Sequence, residues 1–285
     1  MKPDYISEQF LQRFIHQALR EDLGEGDHST LACVPAEKIS RAKLLIKETG
    51  ILAGVALAQG IFTQYDPRLF ITTHIHDGAS VSPGEVALVV NGPARSILAT
   101  ERLVLNCMQR MSGIATATRS MADLVAGTGV VLMDTRKTTP NFRLLEKWAV
   151  LIGGGTNHRL GLFDMIMLKD NHIQLAGGVR EAINQTKQYL RATGKNLCIE
   201  VETRTLEEVN EAVTTGGVDI IMLDNMSTED IKRAVNLVGR RCKTEASGGI
   251  TAGTIGTITA SGVDYISVGA LTHTVKSLDL SLKIF

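Results

Sequence analysis

The stretch FDMIMLKDNHI, residues 163–173, indicates how the second half of the chain folds. Four apolar residues, Met165 to Leu168, run directly into Lys-Asp-Asn-His. An apolar run this short is typical of a strand that is buried on both faces, as in a parallel sheet. The same pattern returns further along the chain in DIIMLDNMS, residues 219–227. These polar tails are either ordinary loop residues or one wall of a functional site.

Short apolar runs continue to alternate with helix-length segments from residue 130 onward. This alternation predicts a parallel sheet with crossover helices. Six such runs favour a barrel or an incomplete barrel over a small open sheet. They are VVLMDTRKT, MIMLKDNH, LCIEVET, DIIMLDN, TEASGG and YISVGAL.

Residues 1–114 have a different pattern and are predicted to form a separate domain. An amphipathic helix over 7–24 has Ser7 available as its cap. Strand-like runs broken by turns follow, and residues 94–127 are predicted to be helical in two pieces that meet near Gly113.

The chain is therefore predicted to be an α/β protein with an N-terminal domain, 1–114, and a barrel domain, 115–274. The closing segment 275–285 contains SLDLSLKIF, in which polar and apolar residues alternate. We expect this segment to pair in the sheet of the first domain.

The composition excludes several classes of protein. The 285 residues are 44% hydrophobic and 21% charged, which is enough for a substantial core. Thirty basic residues balance thirty acidic ones, so the whole molecule has no charge that would favour nucleic acid or an anionic membrane. No apolar run approaches the length of about eighteen residues that spans a bilayer. The four cysteines are scattered without a CxxC pair, and with no apolar signal core at the N-terminus this predicts a cytoplasmic protein.

The carboxyl ends of the barrel strands are where the active site is expected. A single charged strand end is more often a capped helix or a solvated loop. Six in register are a stronger signal, because all of them project into one mouth. They are Asp134–Lys137, Lys169–His172, Glu200–Thr203, Asp224–Asn225, Ser247–Gly249 and Gly269–Ala270.

The strand ends differ in the type of residue that they supply. The early strands and the segment GGGTNHRLG supply cations, the middle strands supply carboxylates, and the last two supply glycines. Carboxylates suit sugar hydroxyls or Mg²⁺, and bare backbone N–H groups suit phosphate. The cations are Arg136, Lys137, His158, Arg159 and Lys169, and the carboxylates are Glu202 and Asp224. The sequence thus predicts a pocket for a pair of polyanionic substrates, whereas Asp170, Asn171 and His172 are expected only to cap the next helix.

Arg102 lies on an apolar helical face between Leu98 and Leu105. An arginine there is costly unless it meets an anion or extends to water. Both an anion site and a snorkelling or subunit-interface arginine remain open at this point. His74 and His76 alternate with apolar residues and are predicted to mark the solvent face of a strand.

Seven motifs in this order and spacing resemble the quinolinate phosphoribosyltransferase family of de novo NAD biosynthesis. They are DTRKTTP, EKWAVLIGGGTNHRLGL, LKDNH, EVET, LDN, ASGGI and GVDYISVGALTH, and EDLGEGD and ERLVLNCMQRMSGIAT extend the resemblance over nearly the whole chain. The resemblance implies an N-terminal α/β sandwich followed by an incomplete, TIM-like α/β barrel. It also implies a homodimer or a hexamer of dimers, in which the neighbouring N-terminal domain completes each site.

The implied reaction joins quinolinate to phosphoribosyl pyrophosphate, with Mg²⁺ as cofactor, and yields nicotinate mononucleotide, pyrophosphate and CO₂. By resemblance, Arg102 reaches into the partner's pocket. Thr135, Arg136, Lys137, His158, Arg159 and Lys169 match contacts to quinolinate and pyrophosphate. Glu202 and Asp224 match carboxylates near ribose and Mg²⁺, and Ser247, Gly248, Gly249, Gly269 and Ala270 match phosphate loops. Lys137, Lys169, Glu202 and Asp224 are the implied catalytic residues.

Three positions depart from the family pattern. Asn141-Phe142 stands where the family has Gly-Leu, Trp148 where it has tyrosine, and Met167 where it often has isoleucine. None of these changes removes a charged residue, and Asn tolerates a left-handed backbone. Three alternative functions are a diverged paralogue associated with molybdate transport, an enzyme acting on nicotinate, and a non-catalytic barrel that binds a phosphorylated ligand.

Overall fold

Two compact units make up the protein. The structure, a computed structural model, describes residues 2–285. The first unit contains the described residues up to Arg119 together with Thr139–Gly154 and Thr274–Phe285. The second contains Ser120–Thr138 and Gly155–His273.

The first unit is built around an antiparallel sheet with strand order β12-β1-β5-β3. At its centre Leu44 of β1 lies opposite Leu88 of β5 and Leu282 of β12, and all three leucines are buried. The closing segment therefore supplies an edge strand to this sheet. The strands are β1 (Ile39–Ile46), β3 (Phe70–Thr73), β5 (Val86–Pro93) and β12 (Leu280–Ile284), and a separate pair is β2 (Gly50–Ile51) with β4 (Ser80–Val81).

Five helices accompany this sheet. They are α1 (Glu8–Leu23), α2 (His28–Cys33), α3 (Val55–Tyr65), α4 (Ala94–Val125, whose last residues belong to the second unit) and α5 (Arg143–Ile152). The predicted opening helix is confirmed, because Ser7 Oγ accepts a hydrogen bond from the Phe10 N–H at 3.1 Å and Gly24 ends the helix. His74 and His76 are exposed as predicted, but they follow β3 instead of lying on a strand.

The prediction of two helical pieces meeting near Gly113 is wrong, because α4 is a single helix of 32 residues. The predicted domain boundary at residue 114 also falls inside α4. Gly113 serves a different purpose, since a Cβ atom there would collide with the backbone oxygen of Lys276. The glycine thus lets the closing segment approach the helix closely, and that approach does not interrupt the helix.

Glu146 on α5 is buried in the first unit, where it forms an ion pair with Arg110 of α4. Its Oε1 accepts from Arg110 Nε at 3.0 Å and Arg110 Nη2 at 2.8 Å, and its Oε2 accepts from the Thr139 N–H at 3.0 Å. We expect Glu146→Ala to lower the free energy of unfolding by about 3–5 kcal/mol, because it leaves a partly buried guanidinium without its carboxylate. Urea denaturation measures this change.

A matched control is Glu48→Ala, which removes an exposed ion pair with Lys276 and is expected to leave the urea midpoint nearly unchanged. Equal urea midpoints for Glu146→Ala and wild type would show that the buried carboxylate does not stabilise the fold.

The second unit confirms the predicted parallel sheet of six strands. Its order is β6-β11-β10-β9-β8-β7, and every neighbouring pair is parallel. No hydrogen bonds join the edge strands β6 and β7 in residues 2–285, so the barrel is incomplete. The strands are β6 (Val131–Met133), β7 (Ile166–Leu168), β8 (Ile199–Thr203), β9 (Ile220–Asp224), β10 (Lys243–Ser247) and β11 (Tyr265–Ser267).

Helices connect these strands, so the carboxyl ends of all six share one edge of the sheet. The register places Asp224, the last residue of β9, beside Ser247, the last residue of β10. The helices are α6 (Asp170–Ala176), α7 (Val179–Thr193), α8 (Leu206–Thr215), α9 (Thr228–Val238), α10 (Ile255–Thr259) and α11 (Ala270–His273). In residues 2–285, no helix has both the length and the apolar character needed to cross a membrane.

Candidate active site

Two adjoining cavities open at the carboxyl ends of the barrel strands. The inner cavity, of about 310 Å³, is lined by Thr135, Arg136, Lys137, His158, Arg159, Met167, Lys169, Glu202, Met222, Asp224, Glu245, Ser247 and Ser267. The outer cavity, of about 530 Å³, shares part of this lining and adds Asp170, Arg204 and the glycine loops around Gly248, Gly249 and Gly269 with Ala270. The barrel residues predicted from the strand ends and from GGGTNHRLG to bind substrate therefore lie together.

Arg136 and Arg159 place two neighbouring guanidinium groups in the inner cavity. Burial lowers the pKa of Arg159, and the neighbouring charge of Arg136 lowers it further. Arg136 Nε is buried and has no hydrogen-bond partner among residues 2–285. Two neighbouring guanidinium groups suit a bidentate anion such as a carboxylate.

His158 lies at the floor of the inner cavity and is almost fully buried. Its backbone N–H donates to Asp134 Oδ1 at 2.9 Å, which ties the His158 loop to the end of β6. Its Nε2 lies 2.9 Å from Glu200 Oε2 and 3.5 Å from Glu245 Oε2. The imidazole is therefore oriented by strands β8 and β10 from inside the barrel.

Glu200 and Glu245 favour the protonated form of His158. Burial lowers the pKa of His158, but hydrogen bonds and charges from Glu200 and Glu245 raise it to about 10. The Arg159 backbone nitrogen lies 2.7 Å from Nδ1, which places the ring against its own loop. Nε2 faces the two buried carboxylates. Burial also raises the pKa of Glu200, to about 7.

Glu202 and Asp224 form a carboxylate pair at the ends of β8 and β9. Burial raises the pKa of Glu202, and the charge of Asp224 raises it further. Lys169 Nζ lies 3.9 Å from Glu202 Oε2. Arg204 contacts both members of the pair, with Nη2 at 3.3 Å from Glu202 Oε1 and Nε at 3.7 Å from Asp224 Oδ2.

Lys137 and Lys169 are exposed at the mouth of the site. The Lys137 N–H donates to Thr135 Oγ1 at 3.1 Å, and Thr272 Oγ1 donates to the Lys137 carbonyl at 2.8 Å. These bonds hold the backbone of Lys137 in place while its ammonium group stays free to reach the cavity. His172 Nδ1 accepts from the Lys169 N–H at 3.0 Å, which confirms its predicted role as a helix cap.

The glycine loop after β10 lets backbone approach a ligand. Gly248 has φ +96°, and a Cβ atom there would collide with the Asn225 side chain. Gly249 has φ +60° and is exposed to open space. Such a loop presents bare N–H groups, which are the donors that phosphate binds.

Three residues of this site have no role assigned from the sequence: Glu200, Glu245 and Arg204. Glu200 lies two residues before Glu202 and Glu245 two residues before Ser247. Residues at this spacing share one face of a strand, so a charged residue inside a buried strand was the available signal. Arg204 lies in a polar loop, where a charged residue is ordinary.

Family models cover almost the whole chain. The N-terminal domain model of quinolinate phosphoribosyl transferase matches residues 27–112, and the C-terminal domain model matches residues 114–283. The chain belongs to the quinolinate phosphoribosyltransferase family.

Individual relatives agree with this assignment. Quinolinate phosphoribosyltransferase [decarboxylating] 1b of Nicotiana tabacum is 50% identical over 96% of this chain and 82% of its own length. The probable nicotinate-nucleotide pyrophosphorylase [carboxylating] of Bacillus subtilis is 42% identical over 96% of this chain and 93% of its own. The crystal structure of NadC from Streptococcus pyogenes superposes with a TM-score of 0.92 at 41% identity and covers 98% of both chains.

The departures from the family pattern are accommodated by the fold. Asn141 adopts φ +62°, a left-handed conformation that the family's glycine would also allow. The Phe142 ring lies 5.6 Å from the Phe14 ring of α1, and Trp148 is buried in the first unit. Arg102 is exposed on α4 of the first unit.

Proposed function

We propose that this protein transfers the phosphoribosyl group of phosphoribosyl pyrophosphate to quinolinate with decarboxylation. The products are nicotinate mononucleotide, pyrophosphate and CO₂, and the reaction belongs to de novo NAD biosynthesis. The protein is thus a pentosyltransferase, as its relatives are named. The observation that carries the proposal is the pair of arginines, Arg136 and Arg159, in an inner cavity that adjoins a glycine-lined outer cavity.

The inner cavity suits a pyridine dicarboxylate. Quinolinate carries two carboxylates, and Arg136 and Arg159 offer paired donors that match carboxylate geometry. Lys169 and Lys137 add compact charges nearer the mouth, where the pyrophosphate is proposed to lie. Without these cations, two polyanions would repel each other, so the cluster both binds and orients them.

The proposed chemistry begins with glycosidic bond formation. Ring nitrogen N1 of quinolinate forms a bond to C1 of the ribose while the bond from C1 to pyrophosphate oxygen breaks. Pyrophosphate leaves with the electron pair, and positive charge grows on the ribose in the transition state. Glu202 and Asp224 are the carboxylates proposed to stabilise this charge, and Lys137 and Lys169 stabilise the negative leaving group.

Decarboxylation follows from the charge on the ring. The bond from C2 to its carboxylate breaks, CO₂ leaves, and the electron pair stays on C2 beside the positively charged N1. C2 then takes up a proton, which completes nicotinate mononucleotide. This sequence requires no covalent bond between enzyme and substrate.

Mg²⁺ is the cofactor we propose for Glu202 and Asp224. The two carboxylates fit it, because hard oxygen ligands are what Mg²⁺ prefers and a single cationic group, Arg204, already lies against both of them. When bound, Mg²⁺ would neutralise charge on the pyrophosphate leaving group.

A homodimer, or a hexamer of dimers, is proposed as the working assembly. Its support is the family pattern, in which the arginine at the position of Arg102 completes the neighbouring subunit's site. The cytoplasm is the proposed location, because all four cysteines are free thiols, which suits a reducing compartment.

The test of the function is turnover of quinolinate with phosphoribosyl pyrophosphate and Mg²⁺, followed as CO₂ release and mononucleotide formation. We expect the two products in equal amounts, with little turnover when nicotinate replaces quinolinate. Nicotinate lacks the second carboxylate, so it would leave one of the two paired guanidinium groups without a bidentate partner. Turnover of nicotinate alone, or of neither acid by folded protein, would refute the proposed substrate.

A further inference from the structure

Arg204 lies among three carboxylates at the mouth of the site. It follows β8 directly and precedes Thr205, which caps α8. Its Nη2 lies 3.0 Å from Asp170 Oδ2 and 3.3 Å from Glu202 Oε1, and its Nε lies 3.7 Å from Asp224 Oδ2. Its side chain is 52% exposed.

Keeping the carboxylates of Glu202 and Asp224 close together costs free energy unless a cation lies beside them. Glu202 is buried and Asp224 mostly buried, and their negative charges repel each other. Lys169 is 3.9 Å from the other oxygen of Glu202, so only Arg204 contacts Glu202 and Asp224 together among residues 2–285. Arg204 therefore supplies, through these contacts, the positive charge that a divalent cation would supply.

The contacts of Arg204 are of a kind that can exchange. A guanidinium with half of its surface in water forms weak ion pairs, whereas a divalent cation with phosphate ligands competes strongly for carboxylates. Asp170 offers a place for the released side chain. It lies outside the carboxylate pair, and its Oδ1 accepts from the Asn171 N–H at 2.7 Å, which fixes it at the start of α6.

We propose that Arg204 is an exchangeable counter-ion that holds Glu202 and Asp224 in the substrate-free protein and gives way to the divalent cation. This inference rests on the proposed function, because it takes the metal and phosphoribosyl pyrophosphate from there. Arg204 thereby lowers the affinity of Glu202 and Asp224 for a metal ion when no diphosphate is bound. Metal binding then depends on binding of the diphosphate.

The experiment measures Mn²⁺ binding to the substrate-free protein by electron paramagnetic resonance, at about 0.1 M ionic strength to keep surface charges screened. We expect Arg204→Ala to bind Mn²⁺ about 5- to 30-fold more tightly than wild type, because a competing charge next to two carboxylates is gone. The double variant Arg204→Ala/Glu202→Gln is expected to lose this gain.

The matched control is Arg180→Ala. Arg180 is a similarly exposed arginine paired with Glu211 at 3.8 Å, and its removal is expected to leave Mn²⁺ affinity unchanged. Equal or weaker Mn²⁺ binding by Arg204→Ala would overturn the inference. If this variant also has a raised KM for phosphoribosyl pyrophosphate, Arg204 binds the diphosphate and does not compete with the metal ion. Turnover of quinolinate by the wild-type protein is measured in parallel. If the wild type turns over quinolinate, the proposed function stands even when Arg204→Ala does not bind Mn²⁺ more tightly.

Discussion

Lys169→Ala is expected to lower turnover of quinolinate about 100- to 1000-fold, the loss that follows removal of one well-placed charged group from a reaction centre. Lys169 follows β7 directly and lines both the inner and the outer cavity. Its side chain is 48% exposed and its nearest ion pair is a 3.9 Å contact with Glu202. Because the fold gains little from such a contact, the melting temperature should change little.

Two control variants test whether the loss of turnover is due to the charge and the position of Lys169. Lys169→Arg keeps the charge and should retain part of the activity. Lys232→Ala removes an exposed lysine of α9 and should leave turnover unchanged. Near wild-type turnover by Lys169→Ala would mean that Lys169 does not act in the pocket.

Mixing Arg102→Ala with Lys137→Ala protein is expected to restore activity that each variant lacks alone. In a mixed dimer, the barrel of the Arg102→Ala subunit is intact and receives Arg102 from its partner, so one of its two sites is complete. Random exchange makes about half of the dimers mixed, so about a quarter of wild-type activity should return.

Subunit exchange must be verified independently, for example by native mass spectrometry of differently tagged variants. A mixture of each variant with wild type controls for dilution. No recovery in a mixture that contains mixed dimers would contradict the shared site and return Arg102 to a structural role.

The strands and their polar ends were predictable from the sequence because the physics there is local. A short apolar run buried on both faces must end where the chain leaves the sheet, and parallel strands leave at one edge. The patterns MIMLKDNH and DIIMLDN were therefore sufficient to locate Lys169 and Asp224 at that edge. The alternation in SLDLSLKIF likewise predicted a strand, Leu280–Ile284, with one buried face.

The parts that could not be predicted depend on contacts distant in sequence. Gly113 alone predicts a helix break, because the sequence around it does not show its packing partner, Lys276, which lies near the other end of the chain. The cluster of Glu200, Glu245 and His158 joins two strands and a loop, so no single stretch reveals it. Arg204 stands in a loop where any polar residue would fit, and only its distances to three carboxylates distinguish it.

A crystal structure of the protein with quinolinate would show whether the inner cavity binds this acid through both of its carboxylates. We predict quinolinate within the inner cavity, with its carboxylates against the guanidinium groups of Arg136 and Arg159 and its ring nitrogen directed towards the outer cavity. Quinolinate bound elsewhere, or with its carboxylates away from these two arginines, would contradict the proposed binding mode.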